Sequence, residues 1–558
     1  MSSETRPVPA DLLIHSAVIW SAGRVLPQTA VAIAGGRILE LGDESLRQRV
    51  LAAREVDARG GLLTPSFVDV HVHAALGGIE MSRCDLTGAE SAEEVFETVA
   101  DYAGRHPGAA WILGGGWRMP FFPGGTPLKE DLDRIVPDRP AFLINSDHHG
   151  AWANSLALEL AGITADTPDP SDGRIERDAR GNPSGTLHEG AAELLSPVLP
   201  ETGAEEARAG LLTAQRRLLG FGITGWQEAI LGEYAGYPDL TPIYRELVDR
   251  GELRARATGA LWVSRDFDGM GIPEFVRGLV ARRDRYARDG LRLDTAKIMV
   301  DGVPENETAA LTEPYLDPTA GACACQKGAG PKGTGLAYFS REQLLELVPL
   351  LNKAGLDAHF HAIGDRAVRY ALDAVEAVPA AVRAARRNHI AHIQVVDPVD
   401  LPRFGELGVT ANAQPLWACL DEQMLDLTLP LLGETRAGWQ YPFRSLLRSG
   451  ATLAFGSDWP VSTPDPWQGV HVAVTRQEPG GTGLDPLLPD EALTLDDALT
   501  AYTFESHRLI GLPGGSIEPG AVADLALADR DPFAGPAAEL HLTRNRLTVL
   551  GGDVVHGA

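Results

Sequence analysis

The chain has 558 residues, too many for one ordinary core, so one large domain with smaller attachments is expected. Its 44% apolar and 22% charged residues are those of a soluble globular protein, and a net charge of −27 argues against a nucleic-acid or anionic-membrane partner, whose phosphates it would repel. Four cysteines (Cys84, Cys323, Cys325 and Cys419) do not make a disulfide framework, which fits a reducing cytoplasm.

The first residues, Met1-Ser2-Ser3-Glu4-Thr5-Arg6-Pro7, lack the basic region and apolar core of a signal peptide, and no apolar run reaches transmembrane length. A cytoplasmic protein is expected. Residues 11–42 then alternate as short β-type runs with glycine at the turns, as in Ala34-Gly35-Gly36-Arg37. The last stretch, around Ile517–Leu527 and Arg546–Leu550, has the same character, so the two chain ends are expected to pair as one small β-sandwich domain, residues 1–61 with 510–558.

Between these ends, apolar strand candidates alternate with helical stretches, the pattern of β/α repeats. Eight strands are predicted: residues 62–73, 222–230, 254–263, 293–301, 355–361, 389–395, 408–415 and 451–458. Helical patterns such as 341–353 and 365–378 lie between them. The fold class that follows is α/β, a (β/α)8 TIM barrel over residues 62–76 and 205–509, whose active site belongs at the C-terminal strand ends. The gap from His73 to Gly222 is far too long for a loop and carries its own helix pattern (91–104) and strand-like pieces. Residues 77–204 are therefore expected to form an inserted lid subdomain on the catalytic face.

The chemistry-bearing residues collect at those strand ends. In Asp69-Val70-His71-Val72-His73 the two histidines are two apart, so on a strand they point the same way and can converge on one metal ion. Lys297, His361, His392 and Asp458 each close a later apolar run. Neutral imidazole supplies nitrogen ligands, and Asp458 supplies a carboxylate able to bind metal and move protons. A lysine cannot ligate as an ammonium, so Lys297 enters the set only if CO2 converts it to a carbamate. His359 shares the alternation of His361, and spacing alone does not choose between them. Cys323-Ala324-Cys325 has no second Cys or His pair nearby and is read as two ordinary thiols in a glycine-rich loop.

The motifs resemble those of the amidohydrolase superfamily, and specifically amidohydrolase family 3, which includes N-substituted formamide deformylases. The resemblance rests on Pro65-Ser66-Phe67-Val68-Asp69-Val70-His71-Val72-His73, Trp111-Ile112-Leu113-Gly114-Gly115-Gly116-Trp117 and Asp147-His148-His149-Gly150-Ala151-Trp152-Ala153-Asn154-Ser155. It continues through His361-Ala362-Ile363-Gly364-Asp365-Arg366-Ala367, Gln414-Pro415 and Gly456-Ser457-Asp458-Trp459-Pro460. It implies two divalent ions, zinc by expectation: one held by His71, His73 and Asp458, the other by His361 and His392, with carbamylated Lys297 between them. It also selects His361, which precedes Ala-Ile-Gly-Asp, over His359, and makes Trp117, His149 and Trp152 substrate-binding candidates. Two positions depart from the family pattern. His389-Ile390-Ala391-His392 stands where many members have Arg-x-Ile-Glu-His, and Arg118 follows Trp117 where an acidic residue is frequent.

The expected activity is metal-dependent hydrolysis of a non-peptide amide C–N bond, an N-substituted formamide or related amide, with Asp458 as the catalytic proton carrier. The partner expected is a small-molecule amide, and a homodimer is the assembly considered. Alternatives on the same site are a cyclic amide or imide hydrolase, a deaminase and, with less support, a metal-dependent decarboxylase. A non-catalytic binding protein is disfavoured because the whole ligand set is retained.

Overall fold

The computed structural model describes residues 7–234, 236–316, 333–481 and 483–557; Cys323 and Cys325 lie outside the described residues. Eight parallel strands form one sheet: β1 (Phe67–Val72), β2 (Ile223–Leu231), β3 (Arg256–Trp262), β4 (Leu291–Met299), β5 (Asp357–Ala362), β6 (His389–His392), β7 (Thr410–Ala413) and β8 (Thr452–Phe455), each paired with the next in chain order. Every one overlaps a predicted run. Strict succession of parallel strands with helical crossovers is the topology of a (β/α)8 barrel. Each strand is nearly all buried, because one face meets the helices and the other fills the barrel. In β5, for example, Ala358 and Phe360 join the helix-facing apolar core while His359 and His361 alternate inward.

Local signals set the helices. Arg341–Lys353 begins at a reciprocal capping box, with the Ser340 hydroxyl accepting from the Gln343 amide and the Gln343 side chain accepting from the Ser340 amide. Asp365–Glu376 follows the β5 end and buries Val368, Ala371, Leu372 and Val375 at helical spacing.

The barrel is drawn together between β8 and β1 just past the ends of their strands. The Asp458 amide donates to the His71 carbonyl (2.7 Å), and the His73 amide donates to the Trp459 carbonyl (2.8 Å). Buried Asp69 accepts from the Ser457 amide (3.0 Å), the Ser457 hydroxyl (2.5 Å) and the His71 amide (3.1 Å). A Cβ on Gly456 would lie 2.6 Å from the His71 nitrogen, so this approach requires glycine.

The run 62–73, predicted as one strand, is two. Leu62–Pro65 pairs with Val18–Ser21 and Leu525–Ala528 in a six-stranded sheet, and only Phe67–Val72 enters the barrel. The break is at Ser66, whose amide is drawn to the Asp524 carbonyl and whose hydroxyl meets Thr224 Oγ1 at 2.6 Å. A four-stranded sheet (Arg37–Gly42, Ala30–Ala34, Val8–His15, Val50–Asp57) lies in the same terminal region. Leu12, Ile14, Val31 and Ile33 of that sheet share one buried cluster with Ile19, Leu63, Leu525, Leu527, Leu547 and Val549 of the six-stranded one.

The stretch between β1 and β2 carries a mixed six-stranded sheet of its own, from Cys84–Asp85 to Pro183–Glu189, backed by the helix Ala92–Arg105. Its core contains Cys84, Val95, Leu132, Leu143, Trp117 and Trp152. Among the described residues, no helix is long and apolar enough to cross a membrane.

Candidate metal centre and its cavity

At the C-terminal ends of the barrel strands, β1, β4, β5, β6 and the segment after β8 bring their polar residues to one point. Asp458 Oδ1 lies 3.3 Å from His71 Nε2 and 3.2 Å from His73 Nε2, and Asp458 Oδ2 is 3.9 Å from His392 Nδ1. Lys297 Nζ is 3.3 Å from His71 Nε2. The His361 ring centre is 4.4 Å from that of His392, though its Nε2 is turned toward the Gly302 carbonyl at 3.4 Å. One ligand atom each from His71, His392 and Asp458 fall within 4.8 Å of one another. His361, rather than His359, reaches this rim; His359 lies one layer deeper and is fully buried.

The donor set fits a cation. Asp458 Oδ1 and His392 Nδ1 are buried yet have no hydrogen-bond partner, although nitrogens crowd around the oxygen. Orphaned buried polar atoms are costly, and cations bound at this cluster would satisfy both of them. Protonation states agree. Burial holds His71 down to about 3, and His361 and His392 well below the usual imidazole range, so these rings are neutral. Burial works against the Asp458 carboxylate, but the surrounding His71, His73 and His392 keep its pKa well below the usual range. Burial lowers Lys297 to about 7, which makes the uncharged amine, the form that reacts with CO2, accessible near neutrality.

The backbone is strained where it delivers these groups. His392 (φ 73°) and Asp458 (φ 57°) both occupy the left-handed region, which non-glycine residues avoid at a cost of about 1–3 kcal/mol each.

A cavity of about 470 Å3 opens above the cluster, between the barrel rim and the inserted segment. Barrel loops supply Glu305, Trp417, Asp421 and Tyr441, and the insertion supplies Thr87, Arg118, Asp147 and His149. Trp417 stacks on His392, with ring centres 5.1 Å apart and planes 2° from parallel. His149 Nδ1 meets both oxygens of Glu189, at 2.9 and 3.1 Å, and Thr308 Oγ1 donates to the same carboxylate at 2.8 Å. Burial opposes charge on His149, but Glu189 prevails and raises it to about 9. An imidazolium therefore stands beside His361, ring centres 5.5 Å apart.

Trp117 and Trp152, expected as pocket residues, are not on the cavity wall. Both are buried inside the insertion's own core, where their indole N–H groups donate to the carbonyls of Leu143 and Leu128, each at 2.9 Å. Burying the large indoles with their N–H satisfied is the stable use of these side chains in a small subdomain. Arg118, next in sequence to Trp117, does reach the cavity, and its Nη2 lies 3.8 Å from Asp421. Glu189, Glu305, Trp417 and Asp421 were not anticipated. Only Trp417 had a nearby signal, the Gln414-Pro415 motif three residues before it.

The profile of the amidohydrolase family matches residues 54–556. Protein LONG AFTER FAR-RED 3 of Arabidopsis thaliana is 32% identical over 538 residues, covering 93% of this chain and 87% of that protein. The N-substituted formamide deformylase of Arthrobacter pascens is 28% identical over 559 residues, covering 95% of each. Among solved structures, an uncharacterized metal-dependent hydrolase from Pyrococcus horikoshii OT3 superposes with a TM-score of 0.71 at 26% identity, covering 94% of this chain and 99% of that one. With the profile spanning the whole barrel, the insertion and the C-terminal strands, and a buried His/His/Asp group at the mouth of an eight-stranded parallel barrel, the chain belongs to the amidohydrolase family, metal-dependent hydrolases of carbon–nitrogen bonds other than peptide bonds.

Proposed function

We propose that this enzyme hydrolyses the amide C–N bond of a small molecule, with N-substituted formamides as the leading substrates. The observation that carries the reading is Asp458 Oδ1, buried without a hydrogen-bond partner between the nitrogens of His71 and His73. In this reading His71, His73 and Asp458 would hold one zinc ion and His361 and His392 a second, with a carbamylated Lys297 as a further anionic ligand. When bound, such ions supply a Lewis acid that acidifies water and polarises a carbonyl.

The chain's own residues supply the rest. Asp458, ionised and central, takes the proton of the attacking water and returns it to the leaving nitrogen, which an unprotonated amine needs in order to depart. His149, charged by its contact with Glu189, offers a donor to the carbonyl oxygen as negative charge develops there. A cavity of about 470 Å3 suits a small molecule. The formamide itself is supported by the likeness to the Arthrobacter pascens deformylase.

The test is zinc-loaded protein with N-benzylformamide. Formate and benzylamine are expected in equal amounts, and Asp458→Asn should lower turnover by about 10²–10⁴-fold. Opening of a cyclic imide with no action on formamides would overturn the substrate, and CO2 release without consumption of water would overturn hydrolysis.

A further inference from the structure

Two histidines of the barrel interior, His359 and His389, are left unused by that reading. On β5 the inward positions are His361, at the rim, and His359, one layer below and fully buried. His359 Nε2 lies 2.9 Å from His71 Nδ1, a contact between residues 288 apart in the chain. The opposite nitrogen of that ring, His71 Nε2, faces Asp458 Oδ1 at 3.3 Å and Lys297 Nζ at 3.3 Å.

A neutral imidazole carries one proton, and the nitrogen that offers a lone pair to a cation must be bare. With Nε2 turned to the cluster, the His71 proton belongs on Nδ1, where its partner has to be an acceptor. His359 Nε2 is that partner. The consequence appears on the far side of the His359 ring: its own proton is displaced to Nδ1, a buried atom without a hydrogen-bond partner among the described residues. An unsatisfied buried N–H is costly, so the arrangement persists only because the surroundings over-determine it. They do so through His389, whose ring centre is 4.3 Å from that of His359 and whose nitrogens engage the Arg387 carbonyl (2.9 Å) and Gln227 Oε1 (3.1 Å). Histidines that bind metals usually give their second N–H to a carboxylate, a carbonyl or water. Here another imidazole occupies that position.

We propose that His359 is a positioning residue for the metal centre: it accepts the His71 Nδ1 proton and so fixes the tautomer and ring orientation that present Nε2 to a cation, with His389 bracing it from the neighbouring strand. The inference rests on the metal-centre reading above, and its test needs no substrate.

Zinc affinity is measured by competition with a chromophoric chelator in wild type, His359→Phe and His359→Gln. Phenylalanine keeps an aromatic ring against His389 but has no acceptor, whereas glutamine can place an oxygen near the lost nitrogen. The expected result is about 10–100-fold weaker zinc binding in His359→Phe, with most of the loss recovered in His359→Gln. Long-range 1H–15N spectra of the wild-type apoprotein read the same claim without any substitution. They should show His71 protonated at Nδ1 and His359 bare at Nε2. Wild-type affinity in folded His359→Phe, or a proton on His359 Nε2, would overturn the proposal while leaving the metal reading intact. A wild-type protein with no affinity for zinc or another divalent ion would overturn both.

Discussion

His149 and Glu189 make an ion pair whose consequence can be worked out before any substrate is known. The His149 side chain is 11% exposed and that of Glu189 2%, so solvent screens the pair little. The imidazolium is held to about pH 9 in the folded protein, against 6.5 for the free side chain. At about 1.4 kcal/mol per pH unit, that difference comes to about 3–4 kcal/mol. Between pH 6.5 and about 9 the folded state keeps a proton that the unfolded chain has released, so stability falls as pH rises. The contribution is whole below pH 6.5 and gone above about pH 9. Glu189→Gln keeps the shape and an acceptor but removes the charge. With histidine labelled at the ring carbon Cε1 and His149 assigned from the His149→Gln spectrum, the His149 pKa is expected to drop from about 9 to 6.5 or lower. Urea unfolding measured from pH 6 to 9.5 should lose a correspondingly large part of its pH dependence. A wild-type His149 that titrates near 6.5, or one indifferent to Glu189→Gln, would refute the charged donor and with it the role given to His149 at the carbonyl oxygen.

Trp117→Ala should cost about 3–5 kcal/mol of stability, seen as a lowered urea midpoint, because it opens a cavity in the insertion's core; a change in substrate preference without loss of stability would contradict the buried placement of that indole. Lys297→Ala should abolish metal-dependent turnover, with partial recovery on adding a short-chain carboxylic acid or bicarbonate, and wild-type protein should take up 13C-labelled CO2 as a carbamate signal that this variant lacks. Full activity in Lys297→Ala would exclude the ligand role.

The sequence alone determined the architecture of the barrel and the neighbourhood of its site. Eight apolar runs separated by helical patterns required a parallel β/α arrangement, and His71, His73, Lys297, His361, His392 and Asp458 could be found because each lies at or near the end of such a run, where the strand ends of a barrel meet. Helix starts were equally local, as in the Ser340–Gln343 capping box. What escaped sequence reading depended on partners far along the chain. Alternation puts Trp117 on one side of its strand and Arg118 on the other, but only packing of the inserted sheet decided that the indole faces that sheet's core and the guanidinium the cavity. The division of the 62–73 run at Ser66 came from Asp524, beside the terminal-sheet strand Leu525–Ala528, and Thr224, on barrel strand β2, which hold Ser66 between the two sheets. Glu189 reaches His149 from a separate strand of the insertion, and His359 reaches His71 only once the barrel has rolled up. Period and propensity act over a few residues and choose elements and faces. Closing the barrel and docking the insertion chose which faces meet, because burial and hydrogen bonding are satisfied across the whole molecule at once.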